Sequence, residues 1–287
     1  MIIFDRSLVH KRRRETAIQL ESYNYLYKHS EEGLIQKLSF IKKAFEKILV
    51  LGWCTGELSK TLQSLVQPTN LIVYCNCLDR DLTLEDSLYV SADEEYLPFK
   101  EQSFDLIIMP HTLHTINDIP GVLWQIQKIL KPDGLFLASF FGGETLTELR
   151  QILFEVEAEK RGGGSPRISP FIELATAASL LGRAGFSLPV ADRDVLKVTF
   201  TDIYQLMYDL KGMGETNALV LREKTFTPRT LFVEAAERYR QKFSTSQEKI
   251  SATFEIFYLT GWAPHSSQQK ALKPGSAQYH LTDILNA

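Results

Sequence analysis

The chain has 287 residues, of which 44% are apolar and 23% are charged, and its formal net charge is -3. This composition is typical of an ordinary soluble globular protein, and it argues against a disordered chain or one that coats nucleic acid. The longest apolar runs, such as Phe104–Met109, are far shorter than the roughly 20 residues that cross a bilayer, so no transmembrane segment is predicted.

The N-terminal residues, MIIFDRSLVHKRRRETA, are basic but lack the apolar stretch of a secretory signal. We interpret them as part of the mature protein, with a short transit sequence as the alternative. The chain contains three cysteines, Cys54, Cys75 and Cys77, without the His/Cys clustering of a zinc site. An odd number of cysteines in a long chain suits a reducing cytoplasm, where we expect buried thiols and no metal site.

The first half of the chain is predicted to alternate between helices and strands. A helix over Glu31–Phe45 is followed by a buried strand over Lys47–Leu51, which ends at Gly52. The alternation continues with a helix over Glu57–Val66, the strands Leu71–Tyr74, Leu88–Val90 and Phe104–Met109, a helix over Ile119–Leu130 and the strand Leu135–Phe140. Strands with intervening helices indicate an α/β protein with a doubly wound parallel sheet.

The second half of the chain has a different sequence pattern. Helices are predicted over Thr145–Lys160 and Ile172–Ala184, on either side of the loop RGGGSPRISP. The runs Val195–Phe200 and Ala252–Leu259 resemble strands, and a long stretch of helical pattern separates them. We interpret that stretch as a helical cap over the sheet, within one domain that has no independent second core.

The loop after the first strand is the first candidate site, because ligands of open α/β sheets bind at the carboxyl ends of the strands. Its sequence is LVLGWCTGEL, in which Gly52 and Gly56 allow a tight turn and a close approach of the backbone to a ligand. By itself, a loop with this glycine spacing is equally well explained by the sterics of a turn.

A second candidate is the acidic loop SADEEYLPF, which follows the predicted strand Leu88–Val90. Its carboxylates, Asp93, Glu94 and Glu95, repel one another and suit a loop that faces solvent or a ligand. An ionised carboxylate is a pure hydrogen-bond acceptor, so Asp93 could accept a hydrogen bond from the amine of a purine ring. A solvated acidic loop explains the same residues.

Together with the turn KPDG before the predicted fifth strand, these loops resemble the class I S-adenosylmethionine (SAM) methyltransferases. More narrowly, the chain is similar to the methyltransferase-like proteins that assist assembly of respiratory complex I. The segments that carry this similarity are FDRSLVHKRRRETA, SADEEYLPF, LHTIND, ILKPDGLFLASFFGGETLTELR, SPRISPF, LLGRAGF, DLKGMGETNAL and ATFEIFYLTGW. The same outline resembles, less closely, the malonyl-carrier-protein methyltransferases of biotin synthesis.

The resemblance implies a Rossmann-like fold with a seven-stranded, mostly parallel sheet, an antiparallel last strand and a helical cap insertion. It divides a single domain over residues 1–287 into a SAM-binding core at 30–145, a cap and substrate region at 145–250 and a final strand at 251–262. The implied cofactor is SAM, and the implied partner is a protein substrate, a complex I subunit, rather than nucleic acid. The implied location is the bacterial cytoplasm or, in a eukaryote, the mitochondrial matrix.

By position, the resemblance also assigns the contacts of SAM. The glycine loop would approach its methionine part, the end of the second strand its ribose, the acidic loop its adenine, and the end of the fourth strand would form the floor beneath the sulfonium. The residues so assigned are Gly52, Trp53, Gly56, Asn76, Asp93, Glu94 and Met109. For this branch, the resemblance implies hydroxylation of an arginine on a complex I subunit rather than a demonstrated methyl transfer.

Several of these positions depart from the usual methyltransferase pattern. Val50 stands where the family has an acid, and Trp53 and Cys54 stand where it has small residues. Asn76 replaces the acid that receives the ribose hydroxyls. Three functions therefore remain open: an enzyme that uses SAM, a non-catalytic assembly chaperone that keeps the fold, and a carrier-protein carboxyl methyltransferase.

His111 and His114 are the titratable residues nearest to the expected sulfonium, and either could serve as a proton acceptor. A histidine at a strand end is also commonly a hydrogen-bonded structural group. The basic run His10–Arg14 is interpreted as a solvated helix face, and it could instead grip an acidic partner. The segment DLKGMGETN, which contains Glu215, is a candidate substrate contact within the cap.

Overall fold

The computed structural model describes residues 2–65, 71–76, 87–269 and 275–276. Seven strands form one sheet in the order β3-β2-β1-β4-β5-β7-β6, and β7 runs antiparallel to both of its neighbours. The strands are β1 (Lys47–Leu51), β2 (Leu71–Asn76), β3 (Ser87–Ser91), β4 (Phe104–Pro110), β5 (Leu130–Phe141), β6 (Ser187–Phe200) and β7 (Ile250–Trp262). The predicted α/β fold with a seven-stranded, mostly parallel sheet is therefore confirmed.

The helices flank this sheet on both sides. They are α1 (Arg6–Thr16), α2 (Tyr25–Ser39), α3 (Gly56–Leu65), α4 (Ile119–Ile129), α5 (Thr147–Arg161), α6 (Leu174–Arg183), α7 (Ile203–Gly212) and α8 (Arg229–Phe243). Across the part of the chain that the structure describes, no helix is both long and apolar enough to span a bilayer. Cys77 lies outside the described residues.

Coverage of both faces of the sheet explains the continuous apolar runs in the central strands. In β1, Ile48 and Val50 pack in a core with α2, α3, α5, α7 and α8, whereas Leu49 and Leu51 pack in a second core with α4 and α6. All four side chains are fully buried. A strand covered on both faces has no reason to alternate apolar and polar residues, and KILVL does not.

The helix predicted over Glu31–Phe45 lies closer to the N-terminus, because α2 spans Tyr25–Ser39. Its first half carries buried polar side chains, among them Ser30 and Glu31, which apolar spacing cannot detect. Beyond Ser39 the chain is not helical, yet Phe45 still packs in the core. The helical spacing of apolar residues in the sequence therefore extends beyond the last residue of the helix.

Strand β6 begins at Ser187, well before the predicted start at Val195. Most of its side chains are exposed or half-buried because β6 lies at the edge of the sheet. Its first residues, SLPVADRD, therefore contain no apolar run that a sequence pattern could detect.

Helices α7 and α8 lie between β6 and β7, where the cap is predicted, and pack on the same face of the sheet as α2 and α5. The cap loop, residues 213–219, meets the N-terminal segment: Asp5 N donates to Ala218 O, and an isolated bridge pairs Phe4 with Leu219. Arg13 of α1 in turn donates to the carbonyl of His111, just after β4. The N-terminal helix thus joins the cap to the carboxyl end of the central sheet.

Candidate functional site

The glycine loop after β1 is fitted tightly against the end of β4. Gly52 has a φ of +88°, a left-handed conformation that favours glycine, and a Cβ there would lie 2.0 Å from Thr112 Oγ1. Its carbonyl accepts a hydrogen bond from Asn76 Nδ2 at 3.4 Å. Packing within the protein therefore explains the glycine at position 52, and Asn76 supports the loop.

Gly56 is different, because a Cβ built there meets no atom within 4 Å. It begins α3 and borders a cavity of about 600 Å³ between the glycine loop and the start of α2. The polar residues that line this cavity are of both charges, and the N-terminus of α3 adds partial positive charge; they include Glu21, Asn24, Lys28, Glu57 and Lys60. The cavity has the room and the polar lining that the amino-acid part of a ligand requires.

The bulky residues of this loop are accommodated by the fold. Trp53 is only 5% exposed and belongs to the core that contains Leu58 and Tyr74, although it also borders the cavity beside Gly56. Cys54 Sγ lies 3.4 Å from Ser59 Oγ, and burial together with the charge of Glu31 raises the pKa of its thiol to about 12. Neither side chain closes the cavity, and the thiol stays protonated.

The acidic loop, residues 93–95, forms ion pairs with Arg6 of α1. Arg6 Nη2 donates to Asp93 Oδ1 at 2.8 Å and also to Glu94 Oε2, which lies 3.3 Å from His10 Nε2. Burial would raise the pKa of Glu94, but His10 and Arg6 outweigh it and lower the pKa to about 2. Glu94 is thus buried in an ion pair, whereas the side chain of Asp93 remains 28% exposed.

Ligand atoms of His10, Asp93 and Glu94 lie within 4.8 Å of one another, a grouping that could hold a metal ion. Arg6 Nη2 already donates to both carboxylates, in the space that a metal ion would take. We therefore interpret this cluster as an ion-pair network.

The basic run His10–Arg14 is the predicted solvated face only in part, since Lys11 and Arg14 are exposed but Arg12 and Arg13 are not. Arg13 is 4% exposed, and its Nη2 donates to the carbonyl of His111 at 2.8 Å. Arg12 Nη1 donates to two carbonyls of the cap loop, that of Thr216 at 2.7 Å and that of Asn217. These arginines hold α1 against the cap and the sheet because each guanidinium satisfies backbone carbonyls.

A buried polar network joins α2, the end of β4 and the cap loop. At its centre, Glu215 Oε1 accepts from Tyr27 Oη at 2.7 Å, and Glu215 Oε2 lies 3.1 Å from His114 Nε2. Arg13 Nη2 lies 3.7 Å from the same carboxylate. Burial alone would raise the pKa of Glu215, but His114 and Arg13 outweigh it and lower the pKa to about 2. Glu215 is therefore ionised at neutral pH.

Glu215 also orients His114. An ionised carboxylate can only accept, so the network assigns the ring proton to Nε2. Nδ1 is buried and has no hydrogen-bond partner among the described residues. In the neutral ring, Nδ1 therefore presents a free lone pair, and a carboxylate that fixes the opposite nitrogen is a common way to position a general base.

His111 is held in a different setting. It has a φ of +47°, and its ring stacks on Tyr27 with the centroids 4.2 Å apart. Its Nε2 lies 3.7 Å from Glu31 Oε1, and Glu31 accepts from Thr55 N of the glycine loop at 2.6 Å. Burial lowers the pKa of His111 despite the charge of Glu31, so the ring is neutral near pH 7. Glu31 thus lies between this histidine and the glycine loop, and His111 Nε2 has no hydrogen-bond partner among the described residues.

Met109 lies on the opposite face of the sheet from Trp53. It is fully buried in the core with α4 and α6, whereas Ile108 packs in the core that contains Tyr27 and Trp53. Successive side chains of a strand point to opposite faces of the sheet, so Ile108 and Met109 at the end of β4 cannot both face the glycine-loop side. Sequence reasoning missed Arg6, Tyr27 and Glu31, because their partners lie far away in the sequence. It named Arg13 within the basic run but not its inward direction.

Comparison with known proteins agrees with this architecture. Residues 49–138, which run from β1 into β5, match the profile of a methyltransferase domain. "Arginine-hydroxylase NDUFAF5, mitochondrial" of Danio rerio is 36% identical to this chain, with 99% of this chain and 90% of that protein covered. The malonyl-[acyl-carrier protein] O-methyltransferase of Xylella fastidiosa is 28% identical, over 92% of this chain and 90% of that protein.

The solved structures show the same fold. A candidate methyltransferase from Bacillus halodurans superposes with a TM-score of 0.57 at 14% sequence identity, and the match covers 81% of this chain and 98% of that one. At such low identity the likeness concerns the arrangement of strands and helices alone.

Proposed function

The chain belongs to the family of the NDUFAF5 arginine hydroxylases, which carries a methyltransferase domain, and on that premise we propose that it binds SAM and modifies an arginine of a protein substrate. The proposed substrate is a subunit of respiratory complex I, met in the mitochondrial matrix or the bacterial cytoplasm. The observation that carries the proposal is the buried Glu215–His114 pair at the carboxyl end of the central sheet, where ligands of this fold class bind.

The surroundings of the glycine loop fit SAM. Lys28 and Asn24 border the open space beside Gly56 and would hold the methionine part. Asp93, still partly exposed, would accept from the adenine amine, whereas Asn76 is engaged with Gly52 and would support the loop. When bound, SAM would supply an activated methyl group next to the end of β4.

The chain's own residues would manage the substrate and its proton. An arginine nitrogen that accepted the methyl group of SAM would release a proton, with S-adenosylhomocysteine as the leaving group. His114 Nδ1 is a buried basic nitrogen without another partner among the described residues. Glu215 would keep His114 in the required tautomer through Nε2. His111, neutral and stacked on Tyr27, would maintain the shape of the site beside them.

A chaperone without catalysis is the second candidate, and one observation favours it: Arg6 already occupies the carboxylate expected to receive adenine. The carrier-protein methyltransferase is disfavoured, because a malonyl carboxylate would meet the ionised Glu215 and like charges repel. Loss of SAM binding with retained complex I assembly would distinguish the chaperone from the enzyme.

Titration calorimetry with SAM and S-adenosylhomocysteine tests the cofactor. We expect saturable binding to the wild type, weakened about tenfold or more in Asp93→Ala, because a hydrogen bond to a charged group contributes roughly 1.5–3 kcal/mol. Glu237→Ala, an exposed acid on α8, serves as the matched control and should bind as the wild type does. No heat and no thermal stabilisation at millimolar ligand would end the SAM proposal.

The substrate is tested on complex I from cells that lack this protein. Peptide mass spectrometry should find an arginine that is modified only when the wild-type protein is restored. A methyl group and an oxygen atom add different masses, so the same spectrum identifies the chemistry. Full assembly by the Asp93→Ala variant, with every arginine unmodified, would support the chaperone instead.

A further inference from the structure

A second cavity, of about 290 Å³, lies beneath the cap. It is distinct from the cavity beside Gly56, and neither Gly52 nor Asp93 lines it. Pockets for small molecules commonly measure about 300–1,000 Å³, so this one is at the small end of that range and has room for a single long side chain. Its walls are mainly apolar and include Leu149, Phe171, Met207 and Phe254.

Two charged side chains line this cavity, but only one is available to a ligand. Arg167 is committed to its neighbours: Nε donates to Glu157 Oε1 at 2.7 Å and Nη1 to Thr227 Oγ1 at 2.9 Å. Glu215 accepts one bond on each oxygen, and a carboxylate oxygen can accept more than one. An apolar cavity with an ionised carboxylate in its wall favours a long side chain with a cationic head.

Arg13 does not satisfy this carboxylate from the other side. Its Nη2 lies 3.7 Å away, beyond hydrogen-bonding distance, because it donates instead to the carbonyl of His111. A guanidinium that enters from the cavity can therefore make the direct bonds that Arg13 does not make.

We propose that this cavity receives the side chain of the substrate arginine, with Glu215 accepting from its guanidinium. The proposal rests on the proposed function and assigns it a substrate pocket. Phe141 and Phe171 line the cavity, and their ring centroids lie 5.0 and 6.2 Å from that of His114. Aromatic faces favour the flat, weakly hydrated guanidinium over an ammonium, and the apolar walls suit the arginine stem. His114 thus contacts both Glu215 and the aromatic residues of the cavity wall.

Methyl NMR of methionine provides a direct readout on the full-length protein. The chain has four methionines; Met207 lines the cavity, and Met109 lies in the opposite core as an internal control. The probes are one blocked glycine-flanked arginine peptide and the same peptide with citrulline, which has nearly the same shape without the charge. We expect the arginine peptide to shift the Met207 methyl signal saturably, and citrulline to bind at least tenfold more weakly.

Glu215→Gln should weaken binding of the arginine peptide by at least tenfold, whereas Glu237→Gln, on the exposed face of α8, should leave that binding unchanged. Equal binding of citrulline and arginine, or a Met207 signal that does not move, would overturn the pocket. If Glu215→Gln does not fold, the comparison of the two peptides on the wild type decides alone. SAM binding is measured on the same samples to separate the two proposals. If SAM binds and the Met207 signal does not shift with the arginine peptide, only the pocket is refuted. If the Met207 signal shifts and SAM does not bind, only the cofactor is refuted.

Discussion

Replacing Gly52 by alanine is expected to destabilise the protein by at least about 3 kcal/mol, because two independent costs combine. The backbone has a φ of +88°, which a residue with a Cβ adopts only with strain, and the new Cβ would lie 2.0 Å from Thr112 Oγ1. Thr112 is completely buried at the end of β4 and cannot move aside without disturbing the core. Urea unfolding followed by circular dichroism measures the loss.

Gly56→Ala is the matched control in the same loop. A Cβ at position 56 meets nothing within 4 Å and begins α3, where alanine is favoured over glycine, so stability should stay within about 1 kcal/mol of the wild type. In Gly52→Ala, the additional change Thr112→Ala should restore part of the loss, since it removes the atom that clashes. A Gly52→Ala protein as stable as the wild type would contradict the role assigned to this turn.

Acidification is expected to lower the stability of the fold steeply between about pH 4.5 and pH 2. Glu94 and Glu215 have folded pKa values of about 2, below their ordinary value of 4.5, because Arg6, His10, His114 and Arg13 outweigh their burial. Between pH 4.5 and pH 2 these two carboxylates take up protons in the unfolded chain but not in the folded chain. Their contribution to the free energy of unfolding is therefore fully present above pH 4.5 and is lost as the pH falls to about 2. Each carboxylate contributes on the order of 3 kcal/mol.

Urea unfolding at pH 7 and at pH 3 checks this expectation. Glu215→Gln should flatten the dependence on pH, since its side chain no longer titrates, and it should lower the stability at pH 7. Glu237→Gln should keep the slope of the wild type. Equal stability of the wild type at pH 7 and pH 3 would show that these ion pairs do not stabilise the fold.

The sheet could be predicted from sequence because its signals are local. A run such as KILVL indicates a strand by itself, and the glycine turn that follows marks where the strand ends. The first half of the edge strand β6 was not predicted, because its exposed side chains form no apolar run. The start of α2 was not predicted, because Glu31 is a buried charge.

The candidate site could be predicted only in outline, since its contacts join residues that are far apart in sequence. Tyr27 reaches Glu215, and Arg13 reaches His111, across separations that no periodicity encodes. The charges of α1 resembled a solvated face because Lys11–Arg14 have the composition of one. Only the fold shows that Arg12 and Arg13 turn inward, where they donate to backbone carbonyls.

The position of β7 has a consequence for how the chain folds during synthesis. It is the last strand along the described chain, yet it lies in the sheet between β5 and β6. Until residues 250–262 leave the ribosome, β5 has an unpaired edge and β6 has no strand to join. At 5–20 residues per second, the ribosome needs on the order of ten seconds to add the residues between the end of β5 and the end of β7. During that time the unpaired edge of β5 can pair with other chains. Holdase chaperones should therefore bind ribosome-stalled chains that end before β7 and release those that extend beyond it.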